Sequence, residues 1–549
     1  MSEERFLQDW PKGREMRAEA IGRLKGGRFD LLVIGGGATG TGIAVDAATR
    51  GLRTALVERA DFASGTSSRS TKLIHGGVRY LEQAVKKLDR GQYELVRHAL
   101  TERATFLASA PHLSRRLALL TPTYSPLEQL YYWLGLKAYD LLAGKHGIGS
   151  TMSLSRAAAL RAFPALDAKR LGGAVVYYDG QFDDARVNVA LALTAERAGA
   201  VLLNYAEVIG ISGNGEAQTV AVRDGNSGDV FEVGARVVIN ATGPFTDAVR
   251  QLDDPGAEPL LETSSGVHIT LAGELCPPDM GMLIPKTDDG GVLFVLPWLG
   301  KSLIGTTDEA EKPIDNPVAH EAAIAYLLSH VNRYFSRQFG RSDVLAAWSG
   351  FRPLVGSSRA AVGATAALVR DHVVVESRSG LVTVTGGKWT SYRQMASDAV
   401  DYVIRTRGLI ATSPCITKTL RLAGGNDYDP DGWRELVAGF GFEPDIAEHL
   451  NHAYGDRAKD VASLAAGSGG QRLSDGYPYL EGEVVWAARE EYAQSVMDVL
   501  ARRTRLAFLD RAAAMRCVAR VADLLSAELG WDEARRTREV SEAHARLGS

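Results

Sequence analysis

The chain has 549 residues, 45% of them apolar, and a formal charge of −4. That length predicts two to four domains with ample material for a core. The absence of a basic field makes nucleic acid a poor partner. Cys276, Cys415 and Cys517 are too scattered for a metal site or a disulfide framework, so no metal and a reducing compartment are expected.

The first twenty residues are charged and lack the apolar centre of a signal peptide. No apolar run reaches membrane-spanning length. Cytoplasmic residence is expected, with attachment to a membrane surface left open.

The first predicted strand is Phe29 to Ile34. It runs into Gly35-Gly36-Gly37-Ala38-Thr39-Gly40, then an alanine-rich helix over Ile43 to Arg50, then a strand over Thr54 to Val57 that ends in Glu58. This is a complete dinucleotide-binding unit. Gly35 permits the turn, Gly37 lets a pyrophosphate come close, and Gly40 lets helix and strand pack. The helix N-terminus faces the phosphates, and Glu58 accepts from the adenosine ribose. The pattern does not choose FAD over NAD; the acid at the second strand favours an unphosphorylated ribose over NADP.

Next comes Ser67-Ser68-Arg69-Ser70-Thr71-Lys72-Leu73-Ile74-His75-Gly76-Gly77-Val78-Arg79-Tyr80, rich in hydroxyls and basic groups and poor in core residues. Leu127 to Leu142 reads as a helix too apolar and aromatic for a solvated surface and too short to span a bilayer. Lys137, Lys145 and Arg115-Arg116 suit anionic lipid; packing against the chain itself or a dimer partner is the competing reading. Short strands follow over Val201 to Asn204, Ala206 to Ile209, Thr219 to Arg223 and Val230 to Val233. The strand from Arg236 ends in small residues around Gly243, where backbone can approach a cofactor. Residues 262 to 310 alternate short apolar runs with turns, as antiparallel strands do, and Ala319 to Phe335 reads as a helix. A strand over Leu381 to Val384 ends in Thr385-Gly386-Gly387-Lys388-Trp389-Thr390, a second junction able to aim backbone N–H groups at an isoalloxazine edge. After a linker near Ala411 to Asp431, helical runs over Glu483 to Leu500 and Thr504 to Leu529 dominate.

GGGATGTG, TSSRSTKLIHGGVRYLE, INATGPFTDAV, PWLGKSLIGTTD, SGFRPLV and TGGKWTSYRQMA occur in that order. With them the chain, from about residue 25 to 540, resembles the FAD-dependent glycerol-3-phosphate dehydrogenases of the aerobic respiratory type. The resemblance implies an α/β FAD-binding domain, Rossmann-like and of the glutathione-reductase/amino-acid-oxidase type. It also implies a substrate-capping domain with an antiparallel or mixed β-sheet, and an all-helical C-terminal domain. The expected boundaries are an N-terminal extension, 1–27; an FAD domain from 28–100, 165–260 and 345–410; a cap from 101–164 and 261–344; and a helical domain, 411–549.

The implied reaction oxidises sn-glycerol 3-phosphate at C2, with electrons passing from FAD to a membrane quinone at the inner face of the cytoplasmic membrane. A homodimer is expected. The resemblance places Ser67, Ser68, Lys72 and Leu73 along a non-covalent FAD, with His75 and Gly76 near its ring and Gly243, Gly387, Trp389 and Thr390 beside it. It puts Arg79 and Tyr80 at the substrate phosphate, with Arg352 and Lys388 completing an anion site suited to a dianion. His268 matches a histidine near the substrate hydroxyls, with an intrinsic pKa fit for a general base. A structural role for His268 or His75 stays open, as does a cofactor-only role for Lys388. Asp308 reads as a turn anchor. Trp389 departs from the family, which often has Leu there. The C-terminal region lacks the cysteine cluster of the anaerobic relatives and the EF-hand loops of the mitochondrial ones. An oxidase that hands electrons to oxygen is the near alternative; an amino-acid or hydroxy-acid oxidase is a more distant one, and an RNA-modifying or purely nucleotide-binding flavoprotein a different class.

Overall fold

In the computed structural model, described over residues 13–77, 90–213, 217–273, 275–356 and 372–548, the chain builds two sheets and a helical domain. The first sheet runs His372–Glu376, Val382–Gly386, Val230–Asn240, Arg28–Ile34, Thr54–Val57, Val201–Leu203. All neighbours are parallel except the first pair. A hairpin of Ala206–Gly213 and Gln218–Asp224 joins Val230–Asn240 antiparallel. The central stretches of the parallel strands, residues 31–34, Thr54–Val57 and residues 237–240, are mostly apolar and buried, as sheets covered on both faces require. The helix Ala38–Thr49 lies on one face, wedged against Asp184–Arg197 and Tyr392–Arg407. Its small residues make that possible: a Cβ on Gly42 would stand 3.0 Å from the Tyr392 ring.

The second sheet is mixed. Its order is Glu309–Ala310, Leu261–Leu271, Lys301–Gly305, Leu293–Trp298, Met280–Ile284, Ser114–Thr123, Gly173–Phe182, Leu73–Ile74. Val344–Val355 pairs with Leu261–Leu271 along nearly its full length, and Met152–Ser155 with Gly173–Phe182. Alternation splits its faces. Leu120, Val176, Val267, Ile269 and Ile304 pack on the helix Glu321–Val331. Leu117, Leu119, Tyr177, Trp298 and Trp348 share one core with the C-terminal residues Val499, Leu506, Val518 and Leu525.

Two expectations move. Gly173–Phe182 and Val344–Val355, read from the sequence as part of the FAD domain, belong to the second sheet, because their ladders run to Ser114–Thr123 and Leu261–Leu271. The helical runs over Glu483 to Leu500 and Thr504 to Leu529 are also interrupted. A helix ends at Glu490, Tyr492 and Arg505 take left-handed φ of 62° and 66°, and the long helix starts only at Arg511, capped by Asp510. The breaks turn Glu491, Arg502, Arg503 and Arg505 inward, where buried partners hold them against helix periodicity.

Candidate active site

The carboxyl ends of the parallel strands Arg28–Ile34, Thr54–Val57, Val230–Asn240 and Val382–Gly386 open onto one cavity of about 890 Å³. Ligands in open α/β sheets bind at this edge. Its walls include Gly35, Gly37, Glu58, Gly243, Gly387 and Lys388. Gly35 takes φ +109°, and a Cβ on Gly40 would lie 1.9 Å from the Gly35 carbonyl oxygen, so both positions need glycine. Glu58 closes the turn: its carboxylate accepts from the N–H of Gly36 at 2.6 Å and of Ala60 at 2.9 Å. Gly386 and Gly387 also take left-handed φ, +83° and +67°, so the second glycine junction folds back sharply at the cavity.

The loop Ser64–Arg69 forms the wall between these two junctions. Ser67 binds both: its hydroxyl accepts from the Ala38 N–H at 2.9 Å, and its carbonyl accepts from the Trp389 indole N–H at 3.1 Å. Trp389 packs edge-on against Phe106, Phe182 and Tyr392, so the large aromatic is absorbed by the core behind the cavity. The Lys72 side chain does not run along the cavity, as the resemblance implies, but behind it. It is wholly buried, with its ammonium on Asp184 at 2.6 Å. Leu73 lies in the core and pairs with Gln181. His75 and Thr390 exchange hydrogen bonds between backbone and hydroxyl, at 3.2 and 3.3 Å. The Gly76 N–H donates to the Tyr139 hydroxyl at 2.7 Å, which in turn donates to Asp179.

On the cap side, Arg352 and His268 stand on one face of paired strands, their cross-strand partners being Ser264 and Trp348. Arg352 donates to Asp308 at 3.0 Å, to the Ser265 and Thr307 carbonyls and to the Thr306 hydroxyl. Asp308 is therefore the carboxylate that aims this guanidinium, not only a turn residue. His268 is buried, stacked on Trp348 at 5.5 Å, with Nε2 2.9 Å from the Thr71 hydroxyl. Burial, then the charges of Lys72 and Arg352, hold its pKa well below the usual histidine range, so the ring is neutral. Arg79 and Tyr80 lie outside the described residues.

A family model described as FAD dependent oxidoreductase matches residues 30–393, and one described as the C-terminal domain of alpha-glycerophosphate oxidase matches residues 415–536. A curated relative from Mesocricetus auratus, "Glycerol-3-phosphate dehydrogenase, mitochondrial", is 47% identical over 97% of this chain and 75% of its own. One from Arabidopsis thaliana with a like name is 46% identical over 94% and 85%. The solved glycerol-3-phosphate dehydrogenase from Bacillus halodurans, complexed with FAD, superposes with a TM-score of 0.77 at 29% identity, covering 98% of this chain and 97% of that one. The chain belongs to the FAD-dependent glycerol-3-phosphate dehydrogenase family.

FAD is the cofactor of this family, and the cavity fits it. Two glycine-opened strand ends meet a helix N-terminus, and an acid stands at the second strand. For a glycerol-3-phosphate dehydrogenase, the site holds residues that sequence reading passed over: Thr71 and Trp348 around His268, and Asp184, Tyr139 and Arg505 behind the loop. A local motif gives no sign of the last three, because their partners lie 63 to 437 positions away.

Proposed function

We propose that the chain oxidises sn-glycerol 3-phosphate at C2 to dihydroxyacetone phosphate and passes the electrons to a membrane quinone at the inner face of the cytoplasmic membrane. Bound FAD supplies the hydride acceptor. Lys388 at the cavity wall and Arg352 of the cap strand bind the phosphate and the oxygen that becomes the carbonyl, with Arg79 and Tyr80 completing the anion site. His268, neutral and beside the Thr71 hydroxyl, is the nearest candidate proton acceptor of the site, although the burial and cations that keep it neutral also make it a weaker base than a free histidine. The names of the relatives support the substrate.

One observation carries the membrane part of the reading. Among the described residues, no helix is long and apolar enough to cross a membrane. The helix Pro126–Ala143, however, turns an apolar stripe outward: Leu127 and Leu141 are each 81% exposed, and Leu130, Tyr131 and Leu134 about half. These positions recur at helical spacing, while Leu136 and Tyr139 are buried on the opposite face. Such a face suits the headgroup boundary of a bilayer.

The test is anaerobic bleaching of the flavin band by glycerol 3-phosphate, followed by timed reoxidation. Fast reoxidation by a quinone analogue with slow reoxidation by air supports the proposal. Fast peroxide-forming reoxidation moves the assignment to an oxidase, and no bleaching of a flavin-replete sample refutes the substrate. Flotation with anionic vesicles tests the stripe: Leu130→Asp with Leu134→Asp should abolish association and leave bleaching intact.

A further inference from the structure

We infer that Arg505 of the helical domain, together with Lys72 and Asp184, is a positioning group for the loop Ser64–Arg69, so that the helical domain sets how tightly and in what geometry FAD is held. The inference rests on FAD occupying this cavity and is independent of the substrate and electron acceptor.

The loop presents Ser67 to both glycine junctions on its cavity side. Its reverse side is fixed by charge. The Ser68 carbonyl accepts from Lys72 Nζ at 3.0 Å and from Arg505 Nη2 at 2.9 Å. The Asp184 carboxylate collects Lys72 Nζ at 2.6 Å, the Ser70 hydroxyl at 2.7 Å, the Ser70 N–H at 3.0 Å and Arg505 Nη2 at 2.9 Å. Lys72, Asp184 and Arg505 are all buried to within 1%. Both cations lie over aromatic rings: Lys72 over Trp298 and Trp348, Arg505 over Trp298 and Phe508. The nucleotide domain, the cap sheet and the helical domain thus meet beneath a single carbonyl.

Arginine is specifically suited to this place. Its fork reaches the Ala501 carbonyl at 2.7 Å through Nη1 while Nη2 bridges Ser68 and Asp184. A lysine ammonium is a point charge that cannot span all three. Lys72 and Arg505 both hold left-handed backbone, φ 64° and 66°, which non-glycine residues seldom take without surrounding support. Strain at both cations that meet the Ser68 carbonyl and Asp184, with no helix periodicity to explain Arg505, indicates that holding this carbonyl and carboxylate is what the local backbone serves. The residue acts through the loop and touches no reacting atom.

The experiment measures FAD dissociation constants by flavin fluorescence, and visible circular dichroism of the bound flavin, on full-length protein. The variants are Arg505→Met, Arg505→Lys, Ser70→Ala and, as a control, Arg520→Gln. The control breaks an ion pair with Glu481 inside the same helical domain, away from the loop. Arg505→Met should weaken FAD binding at least tenfold and change the flavin dichroism. Arg505→Lys should recover part of both, Ser70→Ala should weaken binding about threefold, and Arg520→Gln should do neither. Wild-type FAD affinity and dichroism in folded Arg505→Met would overturn the inference. So would an Arg520→Gln effect as large as that of Arg505→Lys, since that would mark general destabilisation. If Arg505→Met does not fold, Arg505→Lys and Ser70→Ala decide: wild-type values in both refute it.

Discussion

Asp61→Asn tests whether the helical domain and the nucleotide domain are one cooperative unit. Asp61 starts the segment that leads into the flavin loop and is completely buried. Its carboxylate accepts from Arg502 Nε at 2.5 Å and from both terminal nitrogens of Arg503 at 2.8 and 3.0 Å. Those arginines come from the interrupted helical segment more than 400 positions away. Removing the charge leaves two buried guanidiniums short of a partner, a loss of about 3–5 kcal/mol. The shift in melting temperature then reports the size of what unfolds. With about 2.1 cal/mol/K of unfolding entropy per residue, a unit of 549 residues melts roughly 3–4 °C lower. A helical domain of residues 415–536 unfolding alone would melt roughly 12–20 °C lower. The core that joins the cap-sheet residues Leu117, Trp298 and Trp348 to Val499 and Val518, together with the buried pairs of Glu491 with Arg186 and of Arg505 with Asp184 that reach the nucleotide domain, predicts the small shift. Calorimetry of the FAD-loaded variant, with helicity followed in parallel, is the assay. A separate early transition that carries the helical signal would refute the reasoning, and an unchanged melting temperature would refute the charge argument.

Three further outcomes follow from single positions. Gly40→Ala should yield colourless protein, because its Cβ would collide with the Gly35 carbonyl; a normal flavin spectrum would contradict that. Trp389→Phe keeps the ring packing but leaves the Ser67 carbonyl without its donor, which should weaken FAD binding by about 1 kcal/mol, measured by titration of the apoprotein. His112 has its pKa pushed down to about 3 by burial and then by the charges of Arg186 and Arg457. Since this lies below the unfolded value, the stabilisation is full above pH 6.5 and is lost as pH falls toward 3. The loss reaches about 2 kcal/mol at pH 5 and should be smaller in His112→Gln when denaturation midpoints at pH 8 and pH 5 are compared.

The nucleotide-binding unit was readable because each of its demands is local: a turn that only glycine can make, a helix start, an acid one strand on. The second junction at Gly386 and Gly387 was readable for the same reason. Ser67 is legible as a site residue only by resemblance, since its two partners, Ala38 and Trp389, come from opposite ends of the domain. Lys72 misleads for a physical reason. It sits in a polar stretch that reads as surface or cofactor contact, and only Asp184, 112 positions on, shows that its charge is neutralised in the interior. The breaks near Tyr492 and Arg505 were invisible to periodicity, because arginines on a polar helix face look solvated until their carboxylates are located. Membership of the second sheet for Val344–Val355 could not be read either, since a strand's composition does not name its neighbour.

The buried pairing of Asp61 with Arg502 and Arg503 also constrains how such a chain can change over generations. Loss of Asp61 takes the shared carboxylate from two buried arginines, so tolerated changes there should arrive with compensating changes at the other end of the sequence. A helical domain transplanted from a relative would carry arginines made for another protein's acid. Such hybrids should succeed only when residue 61 travels with them together with the segment around Asp184 and Arg186, whose buried partners Arg505 and Glu491 lie in the same helical domain.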